Sequence, residues 1–197
     1  MKRHNRLSLA LYVIIGIFLG VTVIAILHYW VLDGGNASGC PTEYDQSVAT
    51  AQVVLLGTVG GDYSDPHRDC WRESVVQPAL HEMGVTYFNP VVENWTKENA
   101  RIEANAIANA ETLVIAITPT HPSIGALAES GWVVLSAIER DQTVIVYIDP
   151  EQATDDSQRA RRIVLSQVRT LAPDLDQLVL VDSLTGVVQA LHQRYQP

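Results

Sequence analysis

The sequence predicts an α/β fold built on a five-stranded parallel sheet, and two observations predict it. Five short apolar runs come after residue 50, and each is succeeded by a segment with helical periodicity. The runs are continuously apolar instead of alternating, which is the pattern of strands covered on both faces. Right-handed crossovers then favour the flavodoxin-like order 2-1-3-4-5, with helices on both faces of the sheet.

In chain order, Gln52–Gly57 is a first strand, and Cys70–Met83 is helical, with Val75, Val76, Leu80 and Met83 on one face and Gly84 as its stop. Val85–Pro90 is a second strand that proline breaks. An alanine-rich helix runs from Lys97 to Ala110, and Thr112–Thr118 is the third strand. Gly125–Arg140 is a helix, Thr143–Asp149 a strand, Ser157–Leu171 a helix, Gln177–Val181 a strand, and Leu184–Tyr195 a last helix.

Ahead of this domain lies a different kind of sequence. From Leu7 to Leu32 the only ionisable side chain is His28, and Leu, Ile, Val, Gly and Phe dominate. Roughly 26 residues at a helical rise of about 1.5 Å exceed the ~30 Å hydrocarbon core, so the segment is expected to span a bilayer with slight tilt. It is longer than a secretory h-region and ends in His28-Tyr29-Trp30, an interfacial aromatic anchor. The expectation is a retained signal anchor, with cleavage as the alternative. Lys2, Arg3 and Arg6 precede the span and no Lys or Arg comes after it before Arg68, which places the N-terminus in the cytoplasm and the main domain outside. The chain then reads as an anchor over 1–32, a linker over 33–50 and a folded domain over 51–197.

Of 13 Lys and Arg, three precede the span, whereas all 22 Asp and Glu lie beyond it. So acidic a domain repels phosphate backbones and argues against a nucleic-acid polymer as partner. Cys40 and Cys70 leave pairing open, since one lies in the linker and the other heads a helix. No His/Cys/Asp/Glu cluster has metal-ligand spacing, and no cofactor motif points to a bound cofactor.

In an open α/β sheet, ligands bind at the C-terminal edge of the strands. That rim holds Gly57-Thr58, Asp62 in the loop beyond, Asn89-Pro90, and the loop from Thr118 to Gly125. Glu129 comes just after that last loop, and the pattern places it in the first turn of its helix, facing the rim. A carboxylate there is a candidate nucleophile or general base. Glu103 offers a second carboxyl on the preceding helix. Trp71, at the start of the first helix, reads either as core or as a roof over a planar ligand. The Gly-rich loop from Gly57 is neither a Walker A nor a G-x-G-x-x-G sequence. Ser123 lacks a G-x-S-x-G elbow, which argues against serine hydrolysis.

Taken together, Leu56-Gly57-Thr58, Trp71-Arg72, Tyr87-Phe88-Asn89-Pro90, Trp95, Glu103 and Gly125-Ala126-x-x-Glu129 form an ordered set. In order and spacing it resembles the nucleoside 2-deoxyribosyltransferase-like family, over roughly residues 51–149. The resemblance implies cleavage of the N-glycosidic bond of a nucleoside or nucleotide, with Glu129 as nucleophile and Glu103 assisting at the base. It implies substrate contacts from Gly57, Thr58, Asp62, Trp71, Asn89, Pro90, Trp95, Ser123 and Gly125, and a homo-oligomer. It also implies an aspartate six residues before the nucleophile, where this chain has Ser123. Two other readings use the same sheet: an NAD-cleaving domain of the Toll/interleukin-receptor kind, and a nucleotide-binding sensor without turnover.

Overall fold

The computed structural model describes residues 40, 48, 50–60, 69–92, 95–151 and 155–196. The expected transmembrane segment over 7–32, most of the linker and Asp62 lie outside the described residues. Among the described residues, no helix is long and apolar enough to cross a membrane. The folded unit spans Gly39–Pro197.

The sheet is parallel and five-stranded, in the order β2-β1-β3-β4-β5 that the pattern predicts. Its strands are β1 (Val53–Gly57), β2 (Tyr87–Phe88), β3 (Thr112–Ile117), β4 (Thr143–Ile148) and β5 (Leu178–Val181). β1 pairs with β3 from Val53↔Thr112 to Gly57↔Ala116, and β3 with β4 from Thr112↔Thr143 to Ile117↔Ile148. All residues of β1 and β3 are buried, as a doubly covered sheet requires.

Side chains alternate between two apolar layers. Val54, Leu56, Leu113, Ile115, Val144 and Val146 join one, and Val53, Leu55, Val114, Ala116 and Ile145 the other. The first layer is closed by α2 (Lys97–Asn109), α3 (Ile124–Glu139) and α4 (Asp155–Leu171) through Ala106, Ile107, Leu127, Val133, Leu165 and Val168. The second is closed by α1 (Gln77–Met83) and α5 (Leu184–Tyr195) through Leu80, Val187 and Leu191. Each such fully buried aliphatic side chain contributes about 1.5–3 kcal/mol of burial free energy.

Three local departures from the expected pattern have physical causes. β2 is shorter than the predicted Val85–Pro90, because Val85 still belongs to the turn leaving α1: its N–H bonds Leu80 O (2.9 Å), beside Gly84 in a left-handed C-cap (φ 68°). Its far end stops ahead of Pro90, which has no N–H to donate. The first helix opens with a π-helical segment, Arg72–Val76, before settling into α1. π-Helical turns occur frequently at functional sites, and this one holds Arg72. The third departure is a correction. α3 begins at Ile124 and its first turn carries no acidic residue, so Glu129 sits in the second turn, not the first.

Cys40 and Cys70, left open on sequence grounds, form a disulfide with Cα atoms 5.2 Å apart. The bond ties the chain ahead of β1 to the residue directly before Trp71-Arg72.

Candidate active site

The site grows from the end of β1. Gly57 has φ +125°, and a Cβ there would lie 2.0 Å from the carbonyl oxygen of Ala116 on β3, so only glycine fits. Its role is close strand packing, which frees the next carbonyls to receive side chains from α1's end of the molecule. Thr58 is fully buried. Its carbonyl accepts from Trp71 Nε1 (2.9 Å) and from Arg72 Nη1 (2.5 Å). Arg72 also donates to Leu55 O (3.2 Å) and Gly57 O (3.3 Å) and stacks 4.3 Å from the Trp71 ring centroid. Trp71 is only 2 % exposed and joins the core, so of its two sequence readings the core reading holds.

Arg72 is buried because it shares a helix face with Val75, Val76 and Ala79. A guanidinium removed from water needs anionic company. Glu103 and Glu129 supply it. Glu103 is the seventh residue of α2 and Glu129 the sixth of α3. Both helices start at the C-terminal rim, so the two residues stand at similar depth, about 7.5–9 Å along their helices at 1.5 Å per residue. Each is half-buried. Burial pushes the Glu103 carboxyl up to about 7, the negative charge of Glu129 adds to the rise, and Arg72 opposes it. Burial also raises Glu129, against the pull of Arg72. Two carboxyls therefore share one guanidinium in a partly desolvated space. The two carboxyls repel each other, so they resist ionising together, and Glu103, pushed up to about 7, retains a proton near neutrality.

The loop leading into α3 is braced from three sides. Thr58 Oγ1 accepts from the Thr118 N–H (2.9 Å) and bonds Ser123 Oγ (2.8 Å). Asp69 receives the hydroxyls of Thr118 and Thr120, and its other oxygen accepts the Trp71 N–H (3.1 Å). From α4, Arg161 donates to Thr118 O (2.8 Å), His121 O (2.6 Å), Asp149 O (3.0 Å) and Ile117 O (3.4 Å), while Ser157 Oγ donates to Pro122 O. Under this bracing Ser123 takes left-handed backbone angles (φ 56°, ψ 32°), a conformation that costs a non-glycine residue on the order of 1 kcal/mol or more.

The remaining predicted contacts scatter. Asn89 is half-buried, and its Oδ1 accepts the Val91 N–H (3.2 Å) in a local turn. Pro90 is buried. Gly125 is exposed, with open space where a Cβ would go. Trp95 is 56 % exposed ahead of α2. The hydroxyl of Ser123 is committed to Thr58 and to His121 O (3.2 Å).

Sequence reasoning placed no functional weight on Arg72, Asp69 or Arg161. Two of these had a legible signal. Arg72 lies one helical turn before Val76, and Arg161 lies between Ser157 and Leu165 on the i, i+4, i+8 stripe of α4, so each is a charge on a face that must be buried. Asp69 had none for its long-range role, because Thr118 and Thr120 are distant in sequence.

No protein-family model matches the chain, and no curated protein matches it; the site stands on its own geometry.

Proposed function

We propose that the domain cleaves the N-glycosidic bond of a nucleoside or nucleotide, with Glu129 as nucleophile and Glu103 as general acid. The observation that carries this reading is the unequal carboxyl pair over one buried guanidinium. A carboxylate below an anomeric carbon stabilises the positive charge that develops as the base departs. In the first step a Glu129 oxygen bonds to the anomeric carbon while the bond to the base nitrogen breaks. That electron pair stays on the nitrogen, which takes the proton from Glu103. In the second step water, or the nitrogen of another base, gives its proton to Glu103 and displaces Glu129, with net retention. Water gives hydrolysis, and a second base gives exchange.

Arg72 is a positioning residue in this scheme. Three of its donors go to the carbonyls of Leu55, Gly57 and Thr58, and its charge opposes the rise of both carboxyls. The Cys40–Cys70 bond supports a location outside the cytoplasm, where disulfides persist, in agreement with the flanking charges of the expected anchor. The substrate is then an extracytoplasmic nucleoside or nucleotide.

The test is release of free base from a panel of nucleosides, nucleotides and NAD by the purified full chain. Release is expected from a nucleoside or nucleotide and to fall by at least about 10³-fold in Glu129→Gln. Undiminished release from that variant overturns the assignment, and nicotinamide release from NAD alone reassigns the pair to dinucleotide cleavage. Tight nucleoside binding with no release by the unmodified chain identifies a sensor.

A further inference from the structure

The outer face of the layer formed by α3 and α4 brings together exposed apolar side chains and cations. Of nine large apolar side chains exposed among the described residues, five stand here: Ile124, Trp132 and Leu135 on α3, Ile163 and Leu171 on α4. At 100° per residue, Leu127, Ser130, Val133, Val134 and Ala137 turn to the core, so Ile124, Ala128, Trp132 and Leu135 form the outward side of α3. The outward side of α4 is of another kind. Arg159, Ile163, Ser166 and Thr170 run along it, all exposed, and the exposed Arg162 and Arg169 flank Pro150 on the shoulder away from α3. From Ser157 to Pro173 the chain has four arginines and no Asp or Glu, in a protein of net charge −9. Arg161 is spent inside on carbonyls, which leaves three cations facing water. None of the three forms an ion pair among the described residues. The exposed carboxyls of these two helices, Asp156 and Glu139, lie at opposite ends of the layer, at the start of α4 and the end of α3.

We infer that this face is a reversible membrane contact: it lies against the headgroups of an anionic bilayer, the apolar side of α3 entering the interface and Arg159, Arg162 and Arg169 meeting lipid phosphates. Three features select lipid as the occupant. Cations and exposed apolar side chains combined on one helical face are the pattern of helices that lie in the plane of a membrane interface. Tryptophan suits that depth, and arginine stems can rest on apolar surface while their heads stay with the phosphates. Charge then fixes the orientation. The rest of the domain is acidic and is repelled by anionic headgroups, so the arginine face is the one that approaches. Finally, the run over residues 7–32 is expected to span a bilayer, so a lipid surface is a partner the chain brings with it. A contact made by a tethered domain needs little intrinsic affinity to be populated. The inference rests on this surface and does not depend on what the carboxyl pair does.

The experiment places the full chain in vesicles that contain a headgroup spin-labelled lipid, with Ser166→Cys carrying a fluorescent thiol dye. The natural cysteines are joined to each other, so the introduced thiol alone takes the dye. In equimolar phosphatidylcholine/phosphatidylserine vesicles the dye at position 166 is expected to be quenched. A dye carried by Gln193→Cys, on α5 across the sheet, is expected to be quenched far less. Phosphatidylcholine alone should abolish the difference. Changing Arg159, Arg162 and Arg169 together to Gln should lower the docked-to-free ratio by roughly 100-fold. Leu135→Ser combined with Ile163→Ser should lower it by at least about 10-fold, with the melting profile kept because both side chains are exposed. Salt at about 1 M, where the Debye length is about 3 Å, should act in the same direction as the arginine changes. Equal quenching at positions 166 and 193 overturns the proposal, as does quenching at 166 that is unchanged in phosphatidylcholine alone or survives the arginine changes. Energy transfer between dyes on two copies, without quenching by lipid, overturns it in favour of a protein partner.

Discussion

Glu103 and Glu129, on two different helices, both feel the charge of the buried Arg72, and the arithmetic of charge decides their protonation. With both ionised, the cluster would hold two negative charges against one positive in a space that hydrates them poorly, so one proton stays. It stays on Glu103, whose carboxyl is pushed up to about 7 from an ordinary 4.5. Between those two values the folded protein keeps a proton that the unfolded chain has already released, so stability falls as pH rises through the window. Glu103→Gln removes that slope. Its stability relative to the unmodified chain should increase from about pH 5 to about pH 8 in urea titrations; a difference that stays constant over that range contradicts the assignment. On the proposed reaction, Glu103→Gln also removes the proton donor. Base release should drop by about 10²–10⁴-fold, and the fall in rate above about pH 7 expected of the unmodified chain should disappear.

At the scale of the element, α4 locks the entry to α3. Arg161 is fully buried and spends its guanidinium on carbonyls at the ends of β3 and β4 and in the loop after β3. Burial pulls its pKa down while the negative charge of Asp149 partly restores it. Replacing it with methionine leaves several buried acceptors without donors, at roughly 1–3 kcal/mol each before relaxation. Arg161→Met should therefore lose about 3 kcal/mol or more in a urea titration. Arg161→Lys should recover only part of that, because a single ammonium cannot reach four carbonyls in fork geometry. A loss for Arg161→Met of less than about 1 kcal/mol would show that the loop holds itself. The same bracing explains why Ser123 tolerates a left-handed conformation: Thr58 and Arg161 hold the residues around it in place.

For the whole molecule, the disulfide links the segment entering β1 to the start of the first helix. The cross-linked residues are 30 apart in sequence, and closing a loop of that length restricts the unfolded chain by about 3–4 kcal/mol in the chain-entropy account. Cys40→Ser, or reduction of the full chain by a dithiol, should lower the urea midpoint accordingly. An unchanged midpoint would mean that the contacts of β1 and α1 hold that region without the cross-link.

The fold was legible in the chain itself. Short continuous apolar runs such as Thr112–Ile117, rich in β-branched residues, read as strands covered on both faces, and helical stripes such as Val76–Leu80 and Leu165–Val168 say which side of each helix meets the sheet. Strand order came from the handedness of crossovers, and the last helix, Leu184–Tyr195, is found with the predicted bounds. Periodicity is a local property, so it survives in one dimension. Boundaries that depend on capping were less legible: β2 shrinks to two residues, and α3 begins one residue early, with Glu129 in its second turn. The candidate site was legible as a list of residues on one rim, but not as a set of partners. Only the tertiary structure brings Arg72 to Glu103 and Glu129, sends Thr58 and Trp71 into the interior, joins Cys40 to Cys70, and gives Asp69 and Arg161 their places. Those relations link residues tens of positions apart, and they arise when layers on the two sides of a sheet meet over its edge. The side-chain period is written in the chain, because each turn or pleat sets it locally; a shared buried charge exists only once distant segments have folded against one another.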